Sequence, residues 1–130
     1  MDWYFTEDRP IWQQLTEQLT LSICKGEYPP GGRLPAVREL AAQAGVNPNT
    51  MQRALTELER DGLVYSQRTA GRFVTEDEEL VRQAKRSLAE KHIRTFLAAM
   101  LRLGYRREEI VELLEQETSE GGIEDGGFRV

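Results

Sequence analysis

Apolar residues recur along the chain at helical spacing in five stretches, with one pair of short β-prone runs among them. Ile11, Leu15, Leu19, Leu21 and Ile23, with Trp12 nearby, follow Pro10 and predict an amphipathic helix that stops near Lys25. Gly26, Pro29, Pro30, Gly31 and Gly32 then break regular structure. Val37, Leu40, Ala41 and Ala44 share one face of a short helix over 36–44, closed by Gly45, which suits the left-handed turn after a helix. Val46 points inward, Asn47 is a favoured N-cap, and Pro48 fits a first turn where its missing N–H has no partner to lose. A third helix therefore opens at Asn47, buries Met51, Ala54, Leu55 and Leu58, and ends at Asp61 and Gly62.

Leu63–Ser66 and Arg72–Thr75, joined by Gln67 to Gly71, predict a β-hairpin. The aromatic run over residues 2–6 suits either an edge strand or a tethered arm. Beyond the hairpin, Leu80, Ala84, Leu88, Phe96, Met100 and Leu103 predict a long helix over roughly 76–103, about 42 Å at the helical rise, until Gly104 breaks it. Ile110, Val111, Leu113 and Leu114 mark a last helix over 107–117. One helix is too thin to bury such a row. Leu80, Ala84, Leu88, Phe96 and Met100 are therefore expected to pack on Ile110, Leu113 and Leu114 and on a second copy of the chain. The competing arrangement folds the arm back onto its own domain. The fold class is thus mainly α with a small β-hairpin wing. One domain is expected over 1–75, a two-helix dimerisation arm over 76–118, and a flexible tail rich in glycine and acid over 119–130.

Two helices joined by a glycine-bearing turn, here Gly45-Val46-Asn47, are the means by which a helix-turn-helix offers its second helix to the major groove. With the apolar stripe turned inward, Asn49, Gln52 and Arg53 project outward near the start of that helix, with Thr50 at the margin. Asn and Gln match the paired donor and acceptor of adenine, Arg matches guanine, and Thr offers a hydroxyl or a methyl. The helix N-terminus also attracts phosphate. Arg38 is expected beside the nucleic-acid backbone, and Arg68 and Arg72, flanking Gly71, would carry cations on the wing. Taken alone, Asn49 or Gln52 on an exposed helix face reads first as a solvated side chain; the coincidence of cap, turn, polar face and arginine-bearing wing is what points to double-stranded DNA.

The stretches Pro10 to Leu15 (PIWQQL), Pro30 to Ala41 (PGGRLPAVRELA), Gly45 to Thr50 (GVNPNT) and Leu58 to Leu63 (LERDGL) resemble the winged-helix domain of the GntR family over residues 10–75. The short two-helix extension resembles the YtrA subfamily and carries the resemblance to about residue 118. This resemblance implies a bacterial homodimeric regulator, often a repressor, bound to a palindromic operator. It also implies DNA contacts from Arg38, from the run Asn47 to Arg53, and from the wing around Arg68 to Arg72. Some family members carry arginine where Pro48 and Gln52 stand, so their base preference does not transfer. The wing lacks the commoner doubled glycine at Ala70-Gly71.

The net charge of −5 argues at first against a polyanionic partner. Its distribution changes that picture: residues 1–75 hold eight basic and nine acidic side chains, whereas 76–130 hold nine and thirteen. A near-neutral first half binds DNA if its arginines share a face, because phosphate contacts follow local potential. The acidic total leaves a second reading open, a winged-helix protein-interaction module without DNA readout. Glu76, Asp77, Glu78 and Glu79 fit the positive end of the long helix better than a metal or catalytic pair. With one cysteine, Cys24, and one histidine, His92, no zinc site of the usual nitrogen and sulfur composition is expected. The lone thiol reads as buried and inert. No nucleophile and base pair, phosphate loop or cofactor motif is apparent, so neither an enzyme nor a cofactor is expected. No stretch is apolar enough for a membrane span, and a cytoplasmic protein is expected. No residue identifies a small-molecule effector.

Overall fold

The computed structural model describes residues 2–119. In chain order its elements are α1 (Ile11–Cys24), α2 (Val37–Ala44), α3 (Pro48–Arg60), β1 (Val64–Gln67), β2 (Gly71–Val74), α4 (Glu78–Arg102) and α5 (Arg107–Ser119). The chain divides into two compact units, Met1–Ala89 and Glu90–Val130.

In the first unit, α3 packs on both α1 and α2 around Leu15, Leu19, Leu40, Met51, Leu55 and Leu58, all fully buried. Each such leucine contributes roughly 2 kcal/mol by leaving water. The stripe of α1 is narrower than the sequence suggests. Leu15, Leu19 and Ile23 point inward, but Leu21, two residues from Leu19 and so on the far side of a helix turning 100° per residue, is 49% exposed. Gly45 takes φ +71 at the end of α2, and the Val46 N–H donates to the Ala41 carbonyl, closing the turn.

The aromatic run over 2–6 is a tethered arm rather than a strand. Two glutamines one turn apart on α1 stand in for a neighbouring strand. Gln18 accepts from Tyr4 N–H at 3.1 Å and donates to the Tyr4 carbonyl at 2.6 Å. Gln14, almost fully buried, accepts from Thr6 N–H at 2.8 Å and donates to the carbonyls of Thr6 and Arg9 at 2.9 and 2.8 Å. Trp3 and Phe5 are thereby held against the core.

The hairpin pairs Val64 with Val74, Tyr65 with Phe73, Ser66 with Arg72 and Gln67 with Gly71. A third extended segment, absent from the sequence reading, runs along the other side of β2. Arg33 bridges Phe73, Leu34 N–H donates to the Arg72 carbonyl, and Val74 N–H donates to the Gly32 carbonyl. The breaker-rich loop is therefore part of the wing. Together α2, the Gly45 turn, α3 and this hairpin make a winged helix-turn-helix.

The start of α4 is capped by Asp77, whose carboxylate accepts from the N–H groups of Glu79 and Leu80, with Glu78 and Glu79 in the first turn. Val81 and Ala84 pack on the core of this same unit, and Leu80 reaches to 3.3 Å from where a Cβ on Gly62 would stand. Leu80 and Ala84, expected at a dimer contact, are thus occupied at least in part inside the subunit; Leu88 is half-buried.

In the second unit, Gly104 at φ +93 turns the chain between the end of α4 and α5. Ile110 is 2% exposed, Met100 and Leu113 are half-buried, and Phe96 and Leu114 lie open. The helix α5 extends through Ser119, one residue into the stretch expected as a tail; residues 120–130 lie outside the described residues.

Candidate nucleic-acid interface

The start of α3 is fixed by its cap. Asn47 has extended backbone (φ −65, ψ 135), its side-chain oxygen accepts from Asn49 N–H at 2.7 Å, and Pro48 occupies the first helical position. Because Met51, Ala54, Leu55 and Leu58 are buried, the opposite edge of α3 is turned out. Asn47, Asn49, Gln52 and Arg53 are exposed and Thr50 is half-buried, so these five residues form one polar edge at the helix N-terminus. The free N–H groups and dipole of this end favour an anion beside them.

Arg53 is oriented by a residue that sequence reasoning did not connect to it. Its guanidinium carbon lies 4.0 Å from the centroid of the half-buried Trp12 ring on α1. The ring face attracts the cation and limits the rotamers it samples. No local signal joins the two, since they are brought together only by the packing of α1 on α3.

Arg38 is exposed near the start of α2, one helix before the polar edge. On the wing, Arg68 is exposed in the turn, and Gly71 takes φ +108, where a side chain would be strained. Arg72 is placed differently. Strand alternation turns it toward α3, where its Nε donates to Glu59 at 2.6 Å, and the Ser66 hydroxyl donates to the same carboxylate oxygen at 2.6 Å. The Ser66 hydroxyl, and next the Arg72 guanidinium, hold the Glu59 carboxyl below its ordinary pKa. Arg72 is 20% exposed and already neutralised, so it joins the wing to the end of α3.

Asn47, Asn49, Thr50, Gln52 and Arg53 are therefore brought together on one edge, with Arg38, Arg68 and Gly71 exposed on neighbouring elements of the same unit. Such a surface fits a polyanion bearing hydrogen-bonding base edges. Among the described residues, no group of three or more His, Cys, Asp or Glu side chains is arranged to hold a metal ion, and no helix is long and apolar enough to cross a membrane. Cys24 is half-buried rather than sealed in; burial raises its thiol pKa, with Lys85 acting in the opposite direction.

The model of bacterial regulatory proteins of the gntR family matches residues 12–74. The chain is 39% identical over 122 residues to the uncharacterized HTH-type transcriptional regulator YhcF of Bacillus subtilis (strain 168), covering 94% of this chain and 100% of that protein. It is 41% identical over 68 residues to the HTH-type transcriptional repressor YtrA of the same strain, covering 52% of each. Among solved structures, a GntR family transcriptional regulator from Listeria monocytogenes superimposes with a TM-score of 0.77 at 34% identity, covering 86% of this chain and 98% of that one.

Proposed function

Since the chain belongs to the gntR family of bacterial regulatory proteins, we propose that it is a sequence-specific DNA-binding transcription regulator. It binds a palindromic operator as a homodimer and represses from it, in the manner named for its relative YtrA. The observation that carries this reading is the exposed polar edge of α3, capped by Asn47 and backed by a fully buried apolar stripe. Asn49, Thr50, Gln52 and Arg53 read base edges from the major groove, Asn47 and Arg38 meet the flanking backbone, and the wing around Arg68 and Gly71, tied to α3 through Arg72, lies along the adjacent groove. The 1–75 region supplies this readout, the 76–118 arm supplies dimerisation, and the protein works in the cytoplasm.

The dimer reading is supported by the second unit. Ile93, Phe96, Leu97, Leu101 and Leu114 are all exposed there, more clustered apolar surface than a solitary helix pair retains in water. A second copy of the chain is the occupant, and two copies present two recognition helices about one DNA turn, roughly 34 Å, or a multiple of it apart.

Selection of the full chain on a random duplex pool tests the function. The expected product is an inverted repeat whose affinity falls with salt, at a slope near −5 in log K against log salt for about six neutralised phosphates. No enriched sequence together with flat salt dependence overturns the reading and favours a protein partner for the same surface.

A further inference from the structure

We infer that Arg33 is the wing's phosphate-binding cation, a role that rests on the DNA-binding reading above and assigns a contact to the loop before α2. The argument is one of strand faces. In the pairing of β1, β2 and the 31–34 segment, Tyr65, Phe73 and Arg33 occupy matched positions across three neighbouring extended chains, so their side chains lie on one face. Tyr65 and Phe73 stack there with ring centroids 5.8 Å apart. Ser66 and Arg72 occupy the opposite face, toward Glu59.

Arg33 is exposed, and among the described residues no carboxylate pairs with it. Its guanidinium lies over the first residue of β2. A Cβ on Gly71 would stand 3.1 Å from its Nε and 3.5 Å from its Nη2. Gly71 thus serves two ends, the positive φ of the turn and the room for Arg33 to lie flat against the wing. The outcome is a cation laid beside the first residue of β2, with no carboxylate partner among the described residues, next to the hairpin turn that carries Arg68. An exposed, unneutralised guanidinium with several donors is suited to a phosphate oxygen, whereas Arg72 has already given its charge to Glu59.

The test compares the full-length wild type, Arg33→Gln and Arg33→Lys on the selected operator duplex and on a scrambled duplex of equal length. Arg33→Gln is expected to weaken binding on both duplexes by the same factor and to make the salt slope shallower by about 1 per subunit, about 2 per dimer. Arg33→Lys, which keeps the charge, retains the wild-type slope. Thermal melting of each variant at the wild-type temperature establishes that the fold is intact. A wild-type slope for Arg33→Gln, or a loss confined to one base pair of the operator, overturns the assignment while leaving the function standing. Flat salt dependence of the wild type itself removes both.

Discussion

The guanidinium of Arg53 stacks on the ring of Trp12, 4.0 Å from its centroid, so a side chain of α3 that we propose reads a base is held by an aromatic residue of α1. Pre-orientation of this kind reduces the rotamer entropy lost when the arginine meets its base. Trp12→Leu is expected to weaken operator binding by roughly 0.5–1 kcal/mol, the value of a partly exposed cation–π contact. Trp12→Tyr should retain most of it. Titrations with the selected duplex measure this; equal loss for Leu and Tyr would show that the ring's π-face plays no part.

Glu59 joins the wing to α3 through Ser66 and Arg72, and the bond is sensitive to acid. Its carboxyl is held below its ordinary value, near 4.5, by the Ser66 hydroxyl first and the Arg72 guanidinium second. A depressed folded pKa gives a contribution fully present above the unfolded value and lost as pH falls through the folded one. Glu59→Gln should therefore lower the melting temperature at pH 7, by a few degrees for roughly 1 kcal/mol. The gap to the wild type should close progressively below about pH 4.5. Melting curves from pH 3 to 7 decide it, and a gap that widens in acid contradicts the assigned shift.

Gln14 is almost fully buried and serves Thr6 and Arg9 with both ends of its amide. Gln14→Leu fills similar space but leaves those backbone groups without it, at a cost of about 1–3 kcal/mol. The arm over residues 2–9 should then detach before the core melts. Protease cleavage within that arm, at a temperature where the wild type resists, is the expected result; an arm equally protected in Gln14→Leu would mean that Trp3 and Phe5 hold it unaided.

Exposed apolar side chains on α4 form a second row that the sequence reading did not separate from the first. Ile93, Leu97 and Leu101, spaced by four, are 54, 37 and 59% exposed. Replacing both Leu97 and Leu101 by Glu places two charges on that row and should convert the dimer to a monomer at micromolar concentration, with at least a tenfold loss of operator affinity. Sedimentation velocity reads the mass. A dimer of undiminished stability in the double variant would locate the contact elsewhere.

The winged fold was legible because its signals are local. Breakers at Gly45 and Gly62, a cap at Asn47 and buried stripes at helical spacing each act within a few residues, and Met51, Ala54, Leu55 and Leu58 are all buried as the spacing predicts. What escaped depends on neighbours distant in the chain. The strand-like pairing of Arg33 with Phe73 lies in a loop of prolines and glycines that carries no strand pattern. The inward turn of Arg72 follows from which face of the hairpin meets α3. Leu80 and Ala84 sit on the same row as Leu88, and no periodicity distinguishes a side chain that packs on its own domain from one left for a partner.

The roles we propose for Arg38 and Gln52 separate affinity from specificity. Arg38 is exposed on α2, one helix before the polar edge, and in the proposed complex its guanidinium meets phosphate, which carries no sequence information. Gln52 stands on the edge itself, four residues before Thr56, whose hydroxyl donates to the Gln52 carbonyl, and its free amide can match adenine. Arg38→Ala should thus weaken binding to every duplex alike and flatten the salt dependence. Gln52→Ala should leave that slope intact but relax the preference at one position of each half-site, by about 1–3 kcal/mol. Affinities on a set of single-base operator variants give both patterns. If the two substitutions produce the same uniform loss, the edge of α3 contributes only charge and shape, and sequence is read elsewhere on the unit.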